Sequence, residues 1–255
     1  MKERTKSVKV QCSRFNQVGS LTPSLELWRQ VGQRDTSMER LTSEQLKQEQ
    51  QKTLAEARMR YGVLARLLFV TMDLLYGRKK TLPKFKVLEI IARVPYQAWE
   101  NVAYVAITHT HPNPGFARRI FDRVRESRLQ QDNEQWHLLI IQELAAKKGV
   151  GENLLVHGFI PQVIAFFYYH VSWILYVIRP RWSYLLNTYF EDHAEHEYME
   201  YVAENPDLEA QRFESVFAED YGRFASLADL FRQIGYDERV HKLESLARLD
   251  TARFQ

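Results

Sequence analysis

Glu134-Gln-Trp-His137 and Glu238-Arg-Val-His241 are two copies of one pattern, Glu-x-x-His, and a solitary glutamate precedes each of them, Glu89 and Glu191. The separations match, with 45 residues from Glu89 to Glu134 and 47 from Glu191 to Glu238. Residues three apart on a helix share a face, so the Glu and His of each copy can reach a common point without distorting the backbone. One such pair arises by chance on many solvated helices. Two pairs with two lone glutamates at closely matched spacing form the pattern of four helices that aim carboxylates and imidazoles at a pair of metal ions. The chain is therefore read as all-α, a ferritin-like four-helix bundle with a di-iron carboxylate site. Glu89, Glu134, His137, Glu191, Glu238 and His241 are its expected metal ligands.

Carboxylate oxygens with one imidazole per metal favour iron or manganese over zinc or copper. Four glutamates also neutralise two divalent ions, which makes such a site tolerable inside a bundle. Without metal the carboxylates repel and raise one another's pKa. Asp192, His193, Glu195, His196 and Glu197 crowd the turns around Glu191 and compete with it as ligands, and Glu100, eleven residues after Glu89, competes with Glu89. Tyr198 lies seven after Glu191 and returns to its face, where a phenol could supply an electron and a proton during O–O cleavage. Asn133 and Asp237 each directly precede a ligand glutamate and could orient the metal-bound groups by hydrogen bonds. His109 and His111 sit in a proline-rich turn and are read as loop residues.

The 255 residues are 45% apolar and carry a net charge of only +3, with dispersed basic groups, so a nucleic-acid partner is not expected. A single cysteine, Cys12, excludes an internal disulfide framework. Residues 1–50 read as a flexible polar and basic N-terminal arm without a secretory h-region, and residues 51–250 as the helical bundle domain. A helix is expected from about Thr42. Others are expected over about 83–108, 116–146, 181–204 and 209–247.

Two segments are unusually apolar. Residues 61–76 carry only Arg66 and Asp73 as charges and end at Gly77 before Arg78, Lys79 and Lys80, a basic rim suited to anionic headgroups. Residues 161–178 carry no formal charge and are rich in Phe, Tyr and Trp, which favour the bilayer interface. Both are expected to be membrane-facing helices lying in one leaflet, a monotopic attachment.

The words around the ligands resemble the alternative oxidase family over about residues 60–250, and within it the plastid terminal oxidase branch. Val87-Leu-Glu-Ile-Ile-Ala-Arg-Val-Pro-Tyr96 and Asn133-Glu-Gln-Trp-His-Leu-Leu-Ile-Ile-Gln-Glu-Leu144 are similar to that branch's first two ligand helices. Phe190-Glu-Asp-His-Ala194 and Asp237-Glu-Arg-Val-His241 are similar to the last two, and Phe166-Phe-Tyr-Tyr with Ile178-Arg-Pro-Arg to its membrane-facing helix. The resemblance implies a monotopic di-iron quinol oxidase that passes electrons from plastoquinol or a related quinol to O2, gives water and pumps no protons. It further implies a thylakoid or other photosynthetic membrane, at its stromal or cytoplasmic face, with membrane lipid as a partner and a homodimer as one candidate assembly. It selects Glu191 over its neighbours as ligand, assigns Tyr198 as the redox tyrosine, and places Lys84, Leu88 and His193 at the quinol pocket. Lys84 stands where the family usually has arginine and lacks its planar fork of donors. Gly235-Tyr236-Asp237 lacks a customary arginine. The short link between the third and fourth ligand helices points to a cyanobacterial, algal or phage form. A di-iron monooxygenase of a lipid or quinone precursor and a ferritin-like iron-storage protein are the competing readings.

Overall fold

The computed structural model describes residues 39–110 and 112–251, and the expected mobility of residues 1–38 lies outside them. Among the described residues there are helices and no strand. Helix α1, Ser43–Ala55, starts at a capping box in which Thr42 and Gln45 satisfy each other's backbone N–H groups. Its buried Leu46, Gln50 and Thr53 are spaced for one face. The polar arm expected through residue 50 is thus corrected, because packed helix begins at Ser43. Gln50 donates to the Met199 carbonyl at 2.9 Å and accepts from Arg232 at 2.8 Å, so polar partners, not apolar contacts, bury it.

Helix α2, Val63–Tyr76, buries Ala65, Phe69 and Met72 and leaves Leu67, Val70 and Leu74 in solvent. It stops at Gly77, whose φ of 80° a side chain would disfavour. Helices α3, Leu82–Ala92, and α4, Val94–Thr110, replace the single helix expected over 83–108. Pro95 causes the break, having no N–H and a ring that crowds the carbonyl four residues back. His109 falls in the last turn of α4, not in a loop, and His111 lies outside the described residues.

Helix α5, Pro114–Lys147, begins with Asn113 as cap and Pro114 at its first position. A π-helical turn, Leu154–Phe159, feeds α6, Ile160–Ile178, and Pro180 opens α7, Pro180–Glu204. The helix expected over 209–247 shortens to α8, Leu227–Ala247, capped by Ser226. Residues 210–226 form a loop with one turn of helix at Ala218–Tyr221; Leu227 N–H bonds Gln211 O at 2.8 Å, and Gly222 takes a φ of 128°. Phe213, Phe217 and Phe224 of that loop pack on the core, which is why its composition mimics a helix.

Helices α3, α5, α7 and α8 supply the core, with α1 laid on α7 and α8, and α4 packed on α5 and α6. Phe85 stacks on Tyr198 at 4.4 Å, and Tyr198 stacks on Phe231 at 6.1 Å. Each such fully buried ring stabilises the fold by roughly 1.5–3 kcal/mol. Helix α6 buries one stripe, Pro161, Ala165, Tyr168, Ser172 and Tyr176, and exposes Phe166, Phe167, Ile174 and Ile178. With the preceding turn it is long and apolar enough to cross a membrane, yet only 17% of its most apolar window is buried.

Candidate metal centre

Helical spacing turns the two Glu-x-x-His pairs inward from α5 and α8, while α3 and α7 present Glu89 and Glu191. All six side chains are fully buried. They form two overlapping groups: Glu89, Glu134, His137 and Glu238, then Glu134, Glu191, Glu238 and His241. Glu134 and Glu238 belong to both, as carboxylates shared between two ions would. His137 Nδ1 lies 3.1 Å from Glu238, 3.4 Å from Glu89 and 3.6 Å from Glu134. His241 Nδ1 lies 2.7 Å from Glu134 and 3.6 Å from Glu238.

The donor atoms converge without hydrogen-bond partners: both oxygens of Glu134 and of Glu238, Oε2 of Glu89 and of Glu191, and Nδ1 of both histidines. Orphaned buried polar atoms are costly, and a pair of divalent cations that favour oxygen and imidazole donors would satisfy these. Burial and the Glu238 charge push the Glu89 and Glu191 carboxyls far above the usual range. Burial works against charge on both imidazoles, yet carboxylate neighbours raise them: Asp237, Glu134 and Glu238 act on His137, and Glu134 and Glu238 on His241. Burial also pushes Glu238 upward, but the neighbouring His137 and His241 imidazoles, at 3.1 and 3.6 Å, bring it down to about 2. In the metal-free protein, protons thus occupy the charge balance that cations would hold.

A polar layer surrounds the cluster. Asp237 accepts from His137 Nε2 at 3.2 Å, Asn133 at 3.2 Å, Tyr221 at 2.8 Å and Gln233 at 2.8 Å. Holding Nε2–H fixes the tautomer that leaves Nδ1 free for metal. Arg40 lies 3.9 Å from Asp237 and stacks over Tyr221 at 4.2 Å, supplying a guanidinium there although the α8 approach lacks one. A Cβ on Gly235 would meet Met199 at 3.1 Å and Tyr198 at 3.2 Å, so α8 and α7 touch closely there. Tyr198 donates to Glu89. Tyr96 donates to Glu191 at 2.6 Å. Sequence reading missed Tyr96 and Tyr221; Tyr96 had a signal, standing seven after Glu89 as Tyr198 stands seven after Glu191, whereas Tyr221 lies in a loop with none.

The rivals for ligation are occupied elsewhere. Glu100 accepts from Arg128 and Gln131 at 2.8 Å, on the outer face of α4. Asp192 and Glu195 hold Lys242 at 3.2 and 2.5 Å, and Arg239 joins Glu195 at 3.0 Å. Asp192 and Glu195 approach His196 closely enough to form a third group of donor atoms, but Lys242 and Arg239 already balance its carboxylate charge.

Lys84, Leu88 and His193 sit outside the six-residue cluster. Leu88 is buried beside Glu89, and Lys84 is buried with Asp73 at 2.8 Å and Glu197 at 4.0 Å. His193 stacks on Phe69 of α2 at 4.0 Å and accepts from Arg58 at 3.0 Å through Nδ1. Burial, then Arg58 and Lys84, lower its pKa to about 3, so it is neutral with its proton on Nε2. Lys80 turns to Glu200 and Glu204 on α7, which leaves only Arg78 and Lys79 of the expected basic rim exposed.

A helical bundle that buries two overlapping Glu/His groups defines a dinuclear carboxylate protein. The alternative oxidase family matches residues 36–246, and the chain belongs to that family, a di-iron family. It is 35% identical over 131 residues to ubiquinol oxidase 4, chloroplastic/chromoplastic, of Arabidopsis thaliana, covering 51% of this chain and 34% of that protein. It is 26% identical over 185 residues to ubiquinol oxidase 2, mitochondrial, of Glycine max, covering 69% of this chain and 50% of that one. The matched regions thus span between a third and a half of those relatives. Similarity to the chloroplast protein supports the plastid terminal oxidase branch.

Proposed function

We propose that this chain is a membrane-attached quinol oxidase in which two quinols reduce one O2 to two waters without proton pumping. One arrangement carries the reading: a buried dinuclear cluster one helix away from α2 and α6, whose outer faces are apolar and exposed. Glu89, Glu134, His137, Glu191, Glu238 and His241 would hold two iron ions, which supply electron transfer and an open position for O2. Asn133 and Asp237 orient His137. Quinol enters from the lipid beside α2, next to Lys84, Leu88 and His193. His193, held by Arg58, presents Nε2–H to a quinol oxygen, and the Asp73 and Glu197 carboxylates flanking Lys84 serve as acceptors for its proton. Tyr198, buried and bonded to Glu89, supplies an electron and a proton to the oxygen under reduction.

Plastoquinol is the preferred donor, in a photosynthetic membrane, with the bundle on the stromal or cytoplasmic face and the helices from Ser43 onward as the catalytic domain. Family membership and the apolar helices favour this over hydroxylation or iron storage. Oxygen uptake by iron-loaded protein in detergent, given short-chain plastoquinol or ubiquinol and run beside Glu134→Ala, tests it. Uptake that gives water, prefers plastoquinol and vanishes in the variant is expected; an oxygenated product, or no uptake with iron bound, would overturn it.

A further inference from the structure

The two halves of the bundle repeat one another beyond the metal ligands. Glu89 and Tyr96 recur 102 residues later as Glu191 and Tyr198, while Asn133, Glu134 and His137 recur 104 residues later as Asp237, Glu238 and His241. The tyrosines cross over: Tyr198 donates to the first half's Glu89, and Tyr96 donates to the second half's Glu191. Each lone glutamate therefore carries one buried phenol from the opposite half.

The surroundings of the two phenols differ. Tyr198 lies between Phe85 and Phe231. Tyr96 has no exposed surface and lies edge-on to Trp99 at 5.2 Å and to His241 at 5.7 Å. Its oxygen accepts from Asn187 Nδ2 at 3.0 Å, and that same amide reaches Ser245 Oγ of α8 at 3.1 Å. The phenol proton is thereby committed to Glu191 Oε1. Glu191 Oε2 has no partner and belongs to the group with Glu134, Glu238 and His241.

We propose that Tyr96 is a positioning residue for the second metal: with Asn187 behind it, it pins one oxygen of Glu191 so that only the other binds the ion shared with His241. This rests on the dinuclear reading above. A carboxylate released from its phenol can swing to bind through both oxygens, altering one iron and leaving the Glu89–His137 iron as it was. Partners of this kind typically change metal affinity 10–100-fold when removed.

The test uses the full chain in detergent, loaded anaerobically with 57Fe(II), as wild type, Tyr96→Phe and Asn187→Leu, with Tyr184→Phe as the aromatic control from the same layer. Mössbauer spectra and iron titration against a competing chelator are the readouts. In Tyr96→Phe, one of two ferrous doublets is expected to move and one iron equivalent to bind about 10-fold more weakly, with the other unchanged and the helical circular-dichroism signal preserved. Asn187→Leu, which keeps the phenol, should move the same doublet, and Tyr184→Phe neither. Doublets and affinities in both Tyr96→Phe and Asn187→Leu that overlay wild type, or equal weakening of both irons, would overturn the role of Tyr96. Failure of wild type to bind two irons would instead defeat the dinuclear reading.

Discussion

Replacing Lys242 with methionine should destabilise the protein severely, although the residue touches no ligand. Its ammonium is buried between Asp192, 2% exposed, and Glu195, fully buried, at 3.2 and 2.5 Å. Removing one partner of a buried ion pair costs about 3–5 kcal/mol because the other charge is stranded. Compensation here is partial: Asp192 keeps the Met59 N–H at 2.9 Å and the Tyr61 hydroxyl at 3.0 Å, and Glu195 keeps Arg239 and Thr53. The lower end, about 3 kcal/mol, follows, and for a domain of this size it lowers Tm by roughly 6–12 °C. Asp192 adjoins Glu191 and Lys242 adjoins His241, so the same change loosens α7 against α8 at the level of the cluster. Circular-dichroism melts in detergent measure the loss. Adding Glu195→Gln, which removes the stranded charge, should restore at least half of it. A Tm drop below about 2 °C in the single variant, or no recovery in the double, would refute the reasoning.

Asp237→Ala should weaken iron binding about 10–100-fold by releasing His137; equal retention of iron against a chelator would discard that role for Asp237. His193 has its folded pKa pulled from the usual 6.5 to about 3, so the unfolded chain binds the extra proton between those values. Its contribution is complete above pH 6.5 and fades as pH falls toward 3, at no more than about 1.4 kcal/mol per unit. Because part of the ring is solvent-accessible, His193→Gln should shrink the stability drop from pH 7 to pH 5 by about 1 kcal/mol, and identical pH profiles would contradict this. Finally, Leu74→Ser with Phe167→Ser, at positions 80% and 64% exposed, should reduce flotation with anionic vesicles at least 10-fold, each side chain contributing roughly 1.5–3 kcal/mol when buried in lipid. Undiminished flotation would mean that these faces do not meet the bilayer.

The centre was legible because its chemistry needs particular residue types at helical spacing, and no packing accident generates Glu-x-x-His twice with matched lone glutamates. Helix ends at Thr42, Gly77 and Pro180 were equally readable, since capping and proline geometry are local. Long-range pairing was not. That α1 packs into the bundle, and does not belong to a free arm, was hidden because Gln50 and Thr53 are buried against Arg232, Met199 and Glu195, which apolar periodicity cannot register. The Pro95 break was written in the chain but was masked because apolar residues on both sides of it, Ile91 and Val94 before and Tyr96 and Ala98 after, all face the core. Loop 210–226 was mistaken for helix because its phenylalanines serve the core from irregular backbone. The partnership of Lys84 with Asp73, one helix away, likewise depends on how α2 docks.

Glu134 and Glu238 serve both metal groups from helices about a hundred residues apart in the chain. A nascent chain released only through α5 owns Glu89, Glu134 and His137 but lacks the fourth member of even the first group. Neither half holds a complete donor group by itself, so an ion would be captured after the halves dock and would act as a clasp on a finished bundle.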